Sequence, residues 1–394
     1  MTLVRRNIPI SRPLFGPEEL TAVQKPLESG WVVQGPYVLE FEDKFSRFIG
    51  VTHAAAASSC TTALHLAVAA LDLKPGDEVI VPSFTWVATA NVVEYMGATP
   101  IFCDIDLRTY NLEAATIERL VGPKTVGIIA VHMFGLAADM NPIMKLAAAR
   151  GLWVIEDAAC GFGALYHDRH VGGFGDVGCF SFHPRKAITT GEGGMVVTAS
   201  SELDARVRSL RDHGASRATA GGGETAASYL LPEYDSLGYN YRLTDLQAAV
   251  GSAQMDRAEW ILDERRRLAA VYDTRLADVD WLQRPTTPEG YVHGYQSYVC
   301  LFGAEQADLP RAEELHRRRN ATMAAMEERG VATRQGTHAP VLLGYYARRY
   351  GLRAEQFPNG YLADRLSLAL PLYPGMSDED VEYVVDALRE SHPG

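Results

Sequence analysis

A chain of 394 residues is long for one ordinary core and well sized for two domains. Its 47% hydrophobic and 22% charged content are those of a soluble globular protein. With 49 acidic against 37 basic residues, a formal charge of −12, the balance argues against nucleic acid or an anionic membrane as the main partner.

The five cysteines, at positions 60, 103, 160, 179 and 300, are scattered and form no C-x-x-C pair. That pattern is expected of a reduced, cytoplasmic protein without a disulfide frame or zinc ribbon. The opening Met1-Thr-Leu-Val-Arg-Arg-Asn7 lacks the apolar stretch of a signal peptide, and no apolar run reaches the length of a membrane span.

In chain order, short apolar runs alternate with helical stretches. A strand at 79–81 follows the turn Pro75-Gly-Asp77, then come a helix at 88–96, a strand at 100–103, a helix at 113–120, and a strand at 126–131. A helix at 142–149 leads into a strand at 152–155. This spacing predicts βαβ units in a mostly parallel, doubly wound sheet, which binds ligands beyond the carboxyl ends of its strands. Gly221-Gly-Gly223 is expected in a loop, either a lid or a plain surface insertion. A helix over 245–278 would lead out of the large domain, placed at 1–257 with the N-terminal segment. The smaller α+β domain, 258–394, has a strand at 298–302, a helix at 311–329 and a last helix opened by Ser377-Asp-Glu-Asp380.

Three segments carry chemistry. In Ala57-Ser-Ser-Cys-Thr-Thr-Ala-Leu-His65, small hydroxyl residues open an apolar helix. Its free N–H groups and the hydroxyls of Thr61 and Thr62 suit a phosphate, although a plain N-cap accounts for the same residues. In Val154-Ile-Glu-Asp-Ala-Ala-Cys160 a carboxylate, Asp157, follows a buried strand directly. Facing a pyridinium nitrogen it would keep that nitrogen protonated; alone it could equally be a metal ligand or a cap. In the segment 180–194 one lysine, Lys186, lies between a strand end and a Gly-rich turn, where desolvation would favour a neutral amine able to form a Schiff base.

These motifs, with Pro82-Ser-Phe-Thr-Trp86, Ser181-Phe-His-Pro-Arg-Lys186, Gly191-Glu-Gly-Gly194 and Gly238-Tyr-Asn-Tyr-Arg242, resemble the nucleotide-sugar aminotransferases of the DegT/DnrJ/StrS type. The resemblance runs from Ser29-Gly-Trp31 to Leu370-Pro-Leu-Tyr-Pro-Gly375. It implies the PLP-dependent transferase fold type I: a seven-stranded, mostly parallel sheet between helices in the large domain, and a small C-terminal domain. It also implies a homodimer with shared active sites, pyridoxal 5′-phosphate (PLP) with pyridoxamine 5′-phosphate as intermediate, L-glutamate as donor and a keto sugar nucleotide as acceptor.

Residue by residue, the resemblance implies Lys186 as Schiff-base lysine and proton carrier, Asp157 at the ring nitrogen and Trp86 stacked on the ring. Ser181, Thr61 and Thr62 would hold the phosphate, joined by Asn240 from the neighbouring subunit. Cys160 stands where the family often has His or Gln, and a thiol is a poor partner for the cofactor's 3-oxygen. His183, Arg242 and His338 are candidates for substrate contacts.

Two other signals are set aside. Gly173-Phe-Gly-Asp-Val-Gly178 fits the dinucleotide fingerprint, but a strand-like Cys179-Phe-Ser-Phe182 follows it where a helix is required. His167 and His170, three apart in a loop, are a weak metal pattern, and no metal is expected. The rival functions are a PLP/PMP-dependent sugar dehydratase, whose resembling members have histidine in place of the lysine, and a non-catalytic PLP-binding regulatory protein.

Overall fold

The computed structural model describes residues 6–216 and 232–392. Gly221-Gly-Gly223 therefore lies outside the described residues. In chain order the strands of the large domain are β1 (His53–Ala57), β2 (Glu78–Pro82), β3 (Thr99–Cys103), β4 (Thr125–Val131) and β5 (Trp153–Asp157). A short hairpin of β6 (Leu165–Tyr166) and β7 (Arg169–His170) precedes β8 (Val177–Ser181) and β9 (Gly194–Thr198).

Seven of these form one sheet in the order β1-β9-β8-β5-β4-β2-β3. β9 runs against both its neighbours, and all other pairings are parallel. Parallel neighbours need crossover connections, supplied by helices such as Ala88–Tyr95 and Met140–Arg150. Because such a sheet is covered on both faces, its strands are apolar throughout: Val79, Ile80, Val81, Ile128 and Ile129 are all fully buried.

The small domain centres on β12 (Tyr298–Phe302), flanked by β10 (Leu282–Gln283) and β13 (Ser367–Leu370), both antiparallel to it. The helix Asp378–Ser391 has the expected capping box, with Ser377 accepting from the N–H of Asp380. One feature differs from expectation. The helix predicted over 245–278 is two helices, Asp245–Met255 and Ala258–Arg275. At the break, Arg257 turns to donate to Leu14 O and to the Glu19 carboxylate, so the side chain satisfies a distant segment instead of continuing the helix. At the N-terminal end, Ile8 bridges Val331 and joins the core of Leu268, Tyr272, Tyr298 and Val384, while Ile10 packs against the core of the large domain. The helix Ala258–Arg275 serves both cores, giving Ala258, Ile261 and Leu262 to one and Leu268, Ala269 and Tyr272 to the other.

Two buried histidines set an acid limit. Burial pushes the pKa of His170 down to about 4, and burial with the charge of Arg266 takes His293 to about 3. Both are lower in the folded state, so the unfolded chain takes up protons first as pH falls below about 6.5. Stability is expected to drop between about pH 6.5 and pH 4, and the urea midpoint measured across that range checks it. A midpoint that holds level would show the two rings protonating without unfolding.

Candidate active site

The carboxyl ends of β5 and β8 face the same edge of the sheet, with Asp157 in register with Cys179, two residues before Ser181. Asp157 is 4% exposed. Its Oδ2 accepts from Thr89 Oγ1 at 2.7 Å and its Oδ1 from the N–H of Ala159 at 3.2 Å. Burial nevertheless raises its pKa above the usual aspartate value; those two donors, Lys186 and His132 pull the other way without cancelling it. A buried carboxylate met mainly by neutral donors is under-compensated, and a cation opposite it would complete the arrangement.

Lys186 is carried on a tight turn in which its N–H bonds His183 O at 2.8 Å. Its Nζ reaches Cys160 Sγ at 3.1 Å. The turn is held from behind by Arg265, a buried guanidinium pushed down to about 10 by burial. Arg265 donates to the carbonyls of Tyr295, Gln296, Leu372 and, at 3.5 Å, Lys186.

The helix Cys60–Ala70 points its start at the same place. Burial first, then the charge of Asp157, raises the Cys60 thiol, while Lys186 opposes the shift, so this helix start shares its surroundings with both groups. Gly194 makes the approach possible, since a Cβ there would lie 2.7 Å from the Cys60 nitrogen. The first N–H groups of a helix have no partner within it, which leaves those of Cys60 and Thr61 for a ligand.

Thr62 does not fit the role expected of it. It forms the capping box with Ser59, accepting from the Ser59 N–H at 2.9 Å and donating its one hydroxyl proton to Ser59 O at 2.8 Å. Ser181 Oγ accepts only a long 3.4 Å bond from the His183 N–H, so its proton is available.

The other expected residues divide. Trp86 is 56% exposed, and the ring of His338, itself exposed, lies 6.1 Å from it. Asn240 is exposed too. Arg242, expected at the substrate, is instead paired with Asp212 at 2.6 Å. His183 uses Nδ1 to accept the Arg185 N–H at 3.2 Å, and burial lowers its pKa, so its ring shapes the turn carrying Lys186.

The glycine run 173–178 has a structural role. Its N–H groups at Phe174 and Gly175, with that of Gly172, bind the buried Glu156 carboxylate at 2.6 to 2.7 Å. Glu156 also meets His132 Nε2 at 2.9 Å. Because His132 Nδ1 accepts from the Ala138 N–H, the ring proton sits on Nε2 and the pair is a neutral imidazole donating to a carboxylate. These N–H groups are committed to Glu156, leaving none for a pyrophosphate. His170 is similarly occupied, accepting from the Gly163 N–H at 2.9 Å.

Thr89 and Arg265 were missed in the sequence. Thr85 and Thr89 are one helical turn apart with their hydroxyls 2.9 Å from each other, a spacing that could have flagged Thr89. Arg265 lies in the charged run 263–267 and carries no such signal. Thr89→Val should weaken PLP binding about tenfold by freeing the Asp157 carboxylate, as the loss of one bond to a charged group implies. Titration of the apoprotein with PLP, followed by absorbance, measures this; an unchanged affinity would mean Ala159 alone fixes the carboxylate.

These groups fit PLP. Asp157 supplies the anion for a ring nitrogen, Lys186 the amine for an aldehyde, and the helix start with Ser181 the donors for a phosphate. PLP, when bound, supplies an aldehyde for amines and a sink for the electrons left when a Cα proton departs.

Comparison with known proteins agrees. The model of the DegT/DnrJ/EryC1/StrS aminotransferase family matches residues 13–389. The chain is 37% identical over 388 residues to the spore coat polysaccharide biosynthesis protein SpsC of Bacillus subtilis, covering 98% of each. It superposes with a TM-score of 0.88 on Helicobacter pylori PseC, an aminotransferase involved in the biosynthesis of pseudoaminic acid, at 25% identity over 98% of this chain and 99% of that one. The PMP form of Streptococcus pneumoniae Spr1654 superposes with a TM-score of 0.90 at 26% identity, over 98% and 99%. The mostly parallel seven-stranded sheet is that of fold type I. The chain belongs to the DegT/DnrJ/EryC1/StrS aminotransferase family, as a PLP-dependent sugar aminotransferase.

Proposed function

We propose that this enzyme moves an amino group from L-glutamate to the keto carbon of a nucleotide-linked sugar, a 4-keto-6-deoxyhexose, for polysaccharide, lipopolysaccharide or secondary-metabolite synthesis. The observation that carries the chemistry is Lys186 Nζ beside the edge where Asp157 is buried. The sugar rests on the relatives, SpsC in polysaccharide biosynthesis and PseC in that of pseudoaminic acid.

In this scheme donor and acceptor use one site in turn. Lys186 Nζ takes the proton released from the donor's Cα, and in the second half it returns a proton to the sugar carbon. The same amine works as base and then acid, so its placement by His183 O and Arg265 governs both halves. Asp157 would hold the charge that keeps a bound ring nitrogen protonated, and Trp86 would cover the ring face. Thr61, the N–H groups of Cys60 and Thr61, and Ser181 would hold the phosphate, with Asn240 of a second copy completing the set. Cys160 stays within reach of the amine.

The homodimer is supported by exposed apolar side chains near one another in the chain, Trp31 (56%), Val33 (55%) and Leu39 (61%), which a monomer would leave in water. We place the enzyme in the cytoplasm on its five free cysteines. No helix among the described residues is long and apolar enough to cross a membrane.

The test is a panel of keto sugar nucleotides offered to the amino form of the enzyme, made with L-glutamate. Single-turnover return of the original absorbance is expected with a 4-keto-6-deoxy sugar on dTDP, UDP or GDP. No spectral change with glutamate would overturn the donor, and no response from any sugar nucleotide would overturn the acceptor.

A further inference from the structure

Both reacting ends of the site are tied to one short segment, 294–297, which leads into β12. On one side of it stands the loop after β4. The His132 N–H donates to the Asp157 carbonyl at 3.1 Å, and further along this loop Gly135 O accepts from the Gly294 N–H at 2.8 Å. Phe134 O accepts from the Ser297 N–H at 3.4 Å, so loop and segment are joined twice. On the other side stands the lysine turn. Gln296 Nε2 donates to the carbonyl of Arg185, the residue before Lys186, at 3.0 Å. Arg265 holds the carbonyls of Tyr295 and Gln296 at 3.1 and 3.3 Å, and the same guanidinium reaches Lys186 O.

The segment is stiff. Tyr295 has a φ of 43°, and it meets Phe134 at 57° and Gly135 at 100°. Left-handed backbone is costly for an aromatic residue and persists where its surroundings over-determine it, a pattern common at functional sites. Here the Tyr295 N–H donates to His293 Nδ1 at 2.8 Å, and the two rings stack 4.0 Å apart with 9° between their planes. Gly135 approaches so closely that a Cβ there would lie 2.9 Å from the backbone nitrogens of both Tyr295 and Gln296.

The chemistry gives such a segment a task. The aldehyde and the ring nitrogen of PLP belong to one rigid ring, so the amine and the carboxylate that meet them must stand at a matching separation. Asp157 ends β5, but Lys186 lies beyond the end of β8, where the hydrogen bonds of the sheet no longer place it. We propose that segment 294–297 is a spacer that sets the reach of Lys186 relative to Asp157, with Gln296 as a positioning residue for the lysine. Gln296 acts through the Arg185 carbonyl and touches no reacting atom. What it maintains is the effective concentration of the Lys186 amine at the aldehyde. The spacer rests on the roles of Lys186 and Asp157 proposed above.

The experiment sets methylamine against Lys186 for the aldehyde of PLP in the loaded enzyme. Borohydride then reduces whichever C=N bond is present to an amine, and peptide mass spectrometry measures the pyridoxyl group on Lys186. Q296M keeps the length and apolar stem of the side chain and lacks the donor. In Q296M methylamine should displace half of the lysine linkage at about fivefold lower concentration than in the parent, the change that one neutral hydrogen bond carries. The limiting rate of the glutamate half-reaction should fall by a similar factor, with its half-saturating concentration little changed. G135A crowds the segment from the β4 side, far from the Gln296 side chain's own bond, and should move both readouts in the same direction.

Equal methylamine competition in parent and Q296M would overturn the spacer, even if the cofactor-free variant melted lower, because a purely structural loss moves only the melting temperature. A raised half-saturating concentration of glutamate at an unchanged limiting rate would also overturn it, by placing Gln296 on the substrate. A parent whose pyridoxyl group is fixed on another residue would overturn the role of Lys186, and the spacer with it. The parent alone therefore tells the two failures apart.

Discussion

Lys186→Ala is expected to reduce amino transfer by about 10⁴-fold or more, because one amine serves as covalent attachment point, base and acid. Around it, Cys160 offers only a thiol, a weak acid and acceptor. His183 spends Nδ1 on the Arg185 N–H, and burial holds its ring neutral. Neither is placed to take over. The fold should survive, since the turn is held through backbone atoms, the Lys186 N–H to His183 O and Arg265 to the Lys186 carbonyl. PLP should still bind through Asp157 and the helix start, so gel filtration should leave cofactor on the variant while glutamate leaves its absorbance unchanged. Lys186→Arg should fail equally, as a guanidinium stays protonated and cannot attack an aldehyde. Transfer by either variant at the parent's rate would remove Lys186 from the mechanism.

What could be seen in the sequence follows the range of the interaction. Strands β2, β4 and β5 announce themselves because strands buried on both faces must be apolar along their length, and Asp157 stands out as the charge ending such a run. Lys186 stands out by the Gly-rich turn after it. Partners distant in the chain leave no such trace. Thr89 meets Asp157 across 68 positions, and Ile8 finds Val331 at the other end of the chain. Competition between nearby groups is equally hidden. Thr61 and Thr62 look alike as phosphate donors, yet the second is consumed by Ser59 in the cap. Arg242 reads as free for a substrate in the sequence, yet in the fold its guanidinium pairs with Asp212. Arg265, in a run of charges that a surface helix would carry, is buried because four carbonyls converge on it.

Asp157→Asn should slow the glutamate half-reaction by about a hundred- to several-thousandfold, the rate equivalent of the roughly 3–5 kcal/mol lost when one partner of a buried ion pair is removed. An amide is of similar shape and can keep its contacts with Thr89 and Ala159, so the loss belongs to the charge. Stability should respond in opposite directions with and without cofactor. In the apoprotein, burial raises the Asp157 pKa above its unfolded value of 3.8. A raised carboxyl pKa means that the folded state holds the proton more tightly, so this group's contribution to stability is lost as pH rises through the folded value. Near pH 7 the apo parent carries a cost from this shift, and the neutral amide does not. Apo Asp157→Asn should therefore melt at or above the apo parent. With PLP bound the order should reverse, because the parent's carboxylate gains its cation and the amide gains nothing. Thermal unfolding of both proteins at pH 7, with and without PLP, reads the crossing directly. If the variant melts lower in both states, Asp157 is acting as a structural acceptor for Thr89 and Ala159, and the ring nitrogen is held by some other group.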